Sequence, residues 1–109
     1  MSHPTSENIS STYTSNHWLI NQLIDGLTHE DSLIQPPFPA NCLNWILGHI
    51  IRGRNTALIL LDVEPIFTEE LVNRFKTGSP PVTGPDDAVP FDKLVNNLNI
   101  SQERLTAAL

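Results

Sequence analysis

The sequence predicts an all-α fold, a helical bundle built from three long helices plus a short one. Apolar residues recur at spacings of three and four in three separate segments, which is typical of helices that bury one face. Proline-rich stretches separate these segments, and no stretch has a convincing strand pattern. A length of 109 residues indicates one domain. We assign residues 1–10 to a flexible tail and residues 11–109 to an incomplete bundle domain.

The first long helix is predicted from about Ser11 to Leu27, and His17 falls on its apolar side. The residues of that apolar stripe are Tyr13, Ile20, Leu23, Ile24 and Leu27. Thr28 and Asp31 have the spacing of a capping pair and predict a single short turn after this helix. We expect His29, inside that turn, to be exposed and without a role.

The segment Asn41–Leu61 predicts the second long helix, against which the other elements should pack. Its residues at helical spacing are Leu43, Ile46, Leu47, Ile50, Ala57, Leu58 and Leu61. Three prolines make the preceding Gln35–Ala40 an extended connector, and Asn41 is a suitable N-cap. The helix is long enough to cross a bilayer, but Arg52 and Arg54 near its centre argue against that.

The rest of the chain predicts one short helix, one loop and the third long helix. Thr68 is a suitable N-cap for a short helix that ends near Phe75, and the loop Lys76–Val89 follows. The last helix begins near Pro90, and Ser101 either lies within it or caps a restart. Its periodic residues are Phe91, Leu94, Val95, Leu98, Leu105 and Leu109. Three long helices should leave an apolar stripe uncovered.

Charge and cysteine content exclude several classes of protein. Twelve acidic and six basic residues give a net charge of -6, which argues against binding nucleic acid through its phosphates and gives no polybasic membrane signal. Cys42 is the only cysteine, so no internal disulfide can form. It is either a small buried hydrophobe or a reactive thiol. The first residues lack the apolar core of a signal peptide, and we expect a cytoplasmic protein.

His49 is the candidate site residue of this sequence. It lies at the centre of a mostly apolar helix, one turn after Trp45. A lone histidine in that position is either a hydrogen-bonded core residue or a metal ligand. The same two alternatives apply to His17, because bundle cores recruit ligands from facing helices. Trp45 either packs in the core or lines a pocket beside His49. The pair Asp86-Asp87 is expected to be solvated in its loop.

One motif adds a resemblance to a known family. Asn44-Trp45-Ile46-Leu47-Gly48-His49-Ile50 resembles part of the second helix of the DinB-like superfamily. The proline connector before the motif and Leu58-Ile59-Leu60-Leu61 after it match as well. The similarity covers most of the chain from about Tyr13 onward and extends to Gly26-Leu27-Thr28, Arg74-Phe75 and Ser101-Gln102-Glu103-Arg104-Leu105.

The resemblance implies a bacterial up-down four-helix bundle. The superfamily includes metal-dependent thiol transferases that act with bacillithiol, mycothiol or glutathione. The histidine that matches His49 is there one of three ligands to a divalent metal of the Zn or Ni class. The other two come from a His-x-x-x-His pair on a fourth helix. This sequence has no histidine after His49 and stops before a fourth helix. The resemblance therefore implies a shortened relative or fragment with only part of the metal site.

Three functions are compatible with these observations. The first is a metal-dependent transferase with a small thiol substrate, of which this chain holds one ligand, His49, and is inactive alone. The second is a non-catalytic helical module that forms a homodimer through its uncovered apolar face. The third, a nucleic-acid-associated damage-response factor, is suggested only by the family's name, and the acidic charge opposes it.

Overall fold

The computed structural model describes residues 5–109, and every regular element within them is helical. The five α-helices are α1 (Ser6–Ile24), α2 (His29–Ser32), α3 (Leu43–Leu60), α4 (Glu69–Arg74) and α5 (Phe91–Ala108). A 3-10 turn, Pro85–Asp87, precedes α5. This confirms the predicted all-α class for the described part of the chain. His3 and the other residues before Thr5 lie outside it, so their assignment to a tail stays a prediction. Within this range no helix has both the length and the apolarity needed to span a membrane.

The helix α5 is the central element of the structure. It packs along α3 and along α1, and it also contacts α2. No comparable packing joins α1 to α3. The prediction that the other elements pack against the Asn41–Leu61 helix is therefore wrong in one respect, because α1 rests on α5 instead. The two helices leave a cleft between them, which we call the α1/α3 groove. Its lining residues are Tyr13, Asn16, Leu19, Ile20, Ile50, Gly53 and Arg54.

The core lies between α3 and α5 and is closed at one end by the connecting segments. The fully buried apolar residues of the two helices recur at helical spacing, which explains why these sequences form helices with one buried face. The most buried apolar residues are Leu47, Ile51 and Leu58 on α3, Leu94, Leu98 and Leu105 on α5, and Phe75 and Val82 from the connections. Each such side chain contributes about 1.5–3 kcal/mol when removed from water.

The first helix differs from its prediction at both ends. It begins at Ser6 rather than near Ser11, because the Thr5 hydroxyl accepts a hydrogen bond from the Asn8 backbone N–H at 3.1 Å and caps it. Residues 6–10 are thus helical and not part of a tail. The helix ends at Ile24, and Leu23 in the expected apolar stripe is 69% exposed. Of that stripe, only Ile24 is fully buried.

The start of α3 and the role of His29 also differ from expectation, whereas α5 begins next to Pro90 as predicted. Cys42, not Asn41, is the N-cap of α3, and its buried thiol contacts the Val82 carbonyl oxygen at 3.6 Å. This burial fits the small-hydrophobe alternative for Cys42. At the start of α5, the Phe91 backbone N–H donates to His29 Nδ1 at 3.1 Å. His29 was expected to be exposed and without a role, but it is half-buried and satisfies an N-terminal donor of α5.

The structure confirms two capping predictions, and it shows that α5 does not restart at Ser101. Thr28 and Asp31 bond each other's backbone N–H groups reciprocally, as the spacing predicted. Thr68 caps α4 by accepting from the Leu71 backbone N–H at 3.3 Å. The helix α5 runs without interruption through Ser101, whose hydroxyl donates to the Leu98 carbonyl one turn earlier at 2.6 Å. Ser101 therefore lies inside a continuous helix.

The loop between α4 and α5 is held by specific hydrogen bonds. The Arg74 guanidinium donates to the Pro80 carbonyl at 2.7 Å and to the Asp87 carbonyl at 3.3 Å. The Asp87 carboxylate accepts from the backbone N–H groups of Thr83 and Gly84. The Thr83 N–H in particular holds the pKa of Asp87 below its ordinary value. Asp87 is exposed, as expected for a solvated loop, but its carboxylate is engaged in ordering that loop.

Candidate functional site

The imidazole of His49 is fixed in orientation by two contacts. Its Nδ1 lies 2.7 Å from the carbonyl oxygen of Phe75. Because a carbonyl oxygen only accepts, Nδ1 carries a proton and donates it. The ring stacks on Trp45 with 4.8 Å between centroids and 12° between planes. His49 is half-buried, and its Nε2 makes no hydrogen bond within residues 5–109. In the neutral ring this Nε2 holds the lone pair.

The close approach of Phe75 to α3 creates this geometry. Phe75 follows α4 and is fully buried against Gly48. A Cβ on Gly48 would lie 2.5 Å from the Phe75 ring, so only glycine admits the ring here. With the ring seated, the Phe75 carbonyl is within reach of the next residue of α3, His49. Trp45 is held from the same side, since its Nε1 donates to the Ser79 hydroxyl at 3.0 Å.

The described residues do not form a complete metal site. A histidine whose Nδ1–H is bonded to a backbone carbonyl presents Nε2 in the way that metal-bound histidines commonly do. Useful binding of a transition metal needs about three protein ligands, however. Within residues 5–109 no group of three histidine, cysteine or acidic side chains could hold an ion. His49 is thus a single imidazole donor whose Nε2 has no partner among residues 5–109, and its role as a ligand stays a prediction.

The structure places His17 in a different environment. Its Nδ1 lies 3.2 Å from Nη1 of Arg54, and its Nε2 lies 3.1 Å from the Asn21 amide nitrogen. A guanidinium only donates, so His17 Nδ1 is the unprotonated acceptor. Burial, followed by the positive charge of Arg54, lowers the pKa of His17. The lone pair of Nδ1 accepts from the Arg54 cation and is not available to a metal ion, which favours the hydrogen-bonded packing alternative over the ligand alternative.

The lowered pKa of His17 predicts a loss of stability in mild acid. The folded protein holds His17 neutral, whereas in the unfolded chain the ring titrates near its ordinary value of 6.5. Below that pH the unfolded state binds the proton first, so the free energy of unfolding should fall as pH decreases from about 7 to 5. Urea unfolding of wild type and His17→Asn measures this slope. The free energy of unfolding of His17→Asn should depend less steeply on pH than that of the wild type. Equal slopes would contradict the lowered pKa of His17.

Arg54 is buried among the three long helices, a position that its sequence pattern was not used to predict. We used it only as an argument against a membrane helix, yet it is 4% exposed and connects the three long helices. From α3, its Nη1 lies 3.2–3.4 Å from three acceptors on α1 and α5, which are His17 Nδ1, the Leu98 carbonyl oxygen and the Ser101 hydroxyl. Its Cζ lies 5.7 Å from the centre of the Tyr13 ring. One signal could have indicated its burial: position 54 follows the helical spacing of the buried residues Ile51 and Leu58.

Arg54 has no acidic partner in the described part of the chain. The one ion pair found there joins Arg74 to Asp87 at 4.0 Å, in the loop before α5. Burial lowers the pKa of Arg54, while the nearby Tyr13 opposes that shift. An arginine remains charged under these conditions, so α3 carries a buried cation bonded to neutral acceptors only.

The α1/α3 groove is the uncovered face that the helix count predicted. The cleft has a volume of about 430 Å³, and leucine and isoleucine side chains from both helices line it. Both helices also expose further large apolar side chains, which are Trp18 and Leu23 on α1 and Ile46, Ile59 and Leu60 on α3. An exposed apolar surface of this kind often marks an interaction site.

Comparison of the chain with protein-family models, with curated proteins and with solved structures finds no match. The resemblance to the DinB-like superfamily therefore stays a prediction based on the motif around Trp45 and His49. The fold is established only as an all-α arrangement of residues 5–109.

Proposed function

We propose that this chain is a DinB-like helical module that contributes one ligand, His49, to the divalent-metal site of a thiol-transferase-like protein. The hydrogen bond from His49 Nδ1 to the Phe75 carbonyl is the observation that supports this proposal. It fixes the tautomer and leaves the Nε2 lone pair without a partner among residues 5–109, as metal coordination requires. By itself the chain lacks two of the expected ligands, and we expect it to be inactive as a transferase.

The remaining ligands would come from a further helix packed in the α1/α3 groove. His49 lies one turn before Gly53, which lines the groove, so the two positions are neighbours on the surface of α3. A helix carrying a His-x-x-x-His pair, as in the resembling family, would bring two imidazoles toward this side of α3. The apolar walls of the groove would pack against its apolar face.

The proposal is tested by titrating the chain with Zn²⁺ and following the imidazole nitrogens by NMR. We expect Zn²⁺ to shift His49 Nε2 while Nδ1 keeps its proton. A designed amphipathic peptide with a His-x-x-x-His pair should increase the affinity at least tenfold, because it supplies further ligands. His49→Gln should abolish this gain, and the matched variant His29→Gln should retain it. The same gain in Zn²⁺ affinity in His49→Gln as in the wild type would contradict the proposal.

A second candidate function is a non-catalytic module that dimerises through the same groove. The supporting observation is that α1 exposes Leu19 and Leu23 beside an apolar cleft. In a two-fold dimer, α1 of each copy would fill the groove of the other, so both apolar stripes would be buried at once. Light scattering tests this directly. Leu19→Glu should convert a dimer to monomers while Phe38→Glu, at another exposed apolar position, should not, and a wild-type monomer would exclude the proposal.

A further inference from the structure

The buried charge of Arg54 has no negative counterpart among residues 5–109. Its side chain is almost completely removed from solvent, and its three hydrogen-bond acceptors are a neutral imidazole, a carbonyl and a hydroxyl. Neutral acceptors compensate a desolvated guanidinium less well than a carboxylate does. The α1/α3 groove, which Arg54 lines, contains no acidic side chain.

Part of the Arg54 guanidinium has no hydrogen-bond partner among the described residues. Hydrogen bonds to residues 5–109 use Nη1 alone, and Nε and Nη2 have no partner there. Neither nitrogen is among the fully enclosed atoms without a partner in the described chain, which are Arg52 Nε and Gln102 Oε1. Arg54 is one of the residues that line the groove. An Nε–Nη2 edge matches the two oxygens of a carboxylate.

The walls of the groove define the rest of the ligand. Leu19, Ile20 and Ile50 provide apolar surface, while the amide of Asn16 and the phenol of Tyr13 add polar groups. A single cation compensates a single negative charge, so a monoanion fits better than a phosphate dianion. We infer that the α1/α3 groove binds a small organic monocarboxylate, with Arg54 as its charge partner and the apolar walls around its hydrocarbon part.

This inference concerns the chain by itself and does not rest on the metal proposal. A helix or a second copy in the groove would compete with the carboxylate, whereas His49 takes no part in binding it. The test uses dilute protein and hexanoate, with hexanamide as an uncharged ligand of matched shape. We expect saturable chemical-shift changes with hexanoate at groove residues, and binding of hexanamide at least tenfold weaker.

Two variants test whether the charge of Arg54 binds the carboxylate. One removes that charge, and the other leaves Arg54 in place and adds a negative charge to the groove. Arg54→Gln should abolish the preference for hexanoate over hexanamide, but it changes a buried residue and lowers stability. Leu19→Glu places a negative charge at a half-exposed groove position and should weaken hexanoate binding at least tenfold in a folded protein. Phe38→Glu adds the same charge elsewhere and should leave binding unchanged. Equal binding of the two ligands, no saturable binding, or binding indifferent to Leu19→Glu would overturn the inference.

Discussion

Replacing Phe75 with alanine is expected to lower the free energy of unfolding by about 3–5 kcal/mol, because it removes a large, fully buried side chain. Phe75 is fully buried against Gly48, and its ring also packs 6.0 Å from that of Phe67. Its removal leaves a cavity between α3 and the segment after α4. Urea unfolding measured by circular dichroism gives the change directly.

The matched control for this substitution is Phe38→Ala. Phe38 is 63% exposed in the proline-rich connector, so the same chemical change should cost less than about 0.5 kcal/mol there. The NMR signal of the His49 Nδ1 proton should also broaden or disappear in Phe75→Ala, because its acceptor is no longer held in place. Equal stability losses at the two phenylalanines would contradict the described packing of Phe75.

Gly48→Ala should destabilise the protein although alanine is the better helix former. An added Cβ would lie 2.5–2.6 Å from three atoms of the buried Phe75 ring, and such overpacking costs about 1–3 kcal/mol. The higher helix propensity of alanine offsets about 1 kcal/mol of this cost, so the free energy of unfolding should fall by up to about 2 kcal/mol. Gly53→Ala on the same helix meets no atom within 4 Å and should stabilise the protein by up to about 1 kcal/mol.

Gly48→Ala should lower the free energy of unfolding and Gly53→Ala should raise it, so the two substitutions together test the packing of Phe75 on α3. Combining Gly48→Ala with Phe75→Leu should cost less than the sum of the two single changes, because the smaller side chain makes room for the methyl group. Thermal unfolding of the four proteins measures the coupling. Stabilisation by alanine at both glycines would show that Phe75 does not pack on α3 as described.

The helices could be predicted from sequence because their signals are local. Apolar spacing located all three long helices, and the Thr28–Asp31 pair and Thr68 marked two short ones. The start of α1 was missed because its cap, Thr5, precedes a polar first turn that carries no apolar period. The central position of α5 could not be predicted, since helical periodicity gives which face is buried and not which helix covers it.

The candidate site was predictable only in part, for the same physical reason. The position of His49 on a mostly apolar helix made it conspicuous, but its hydrogen-bond acceptor lies 26 residues away in sequence and is a backbone atom. No residue pattern indicates such a partner. Nor does the sequence show that Gly48 provides the space for the Phe75 ring. Arg54 was overlooked because its partners lie on two other helices.

The dependence of α1 on α5 has a consequence for how this chain folds during synthesis. The contact between Asn21 and Asn99 spans 78 residues, so α1 leaves the ribosome long before the surface that receives it. Contacts of such sequence separation form late, because a long loop must first close. Until then Ile20 and Ile24, the side chains of α1 that pack with the core, have no neighbour to cover them. The nascent N-terminal segment is therefore the part of this protein for which we expect the greatest need of a chaperone.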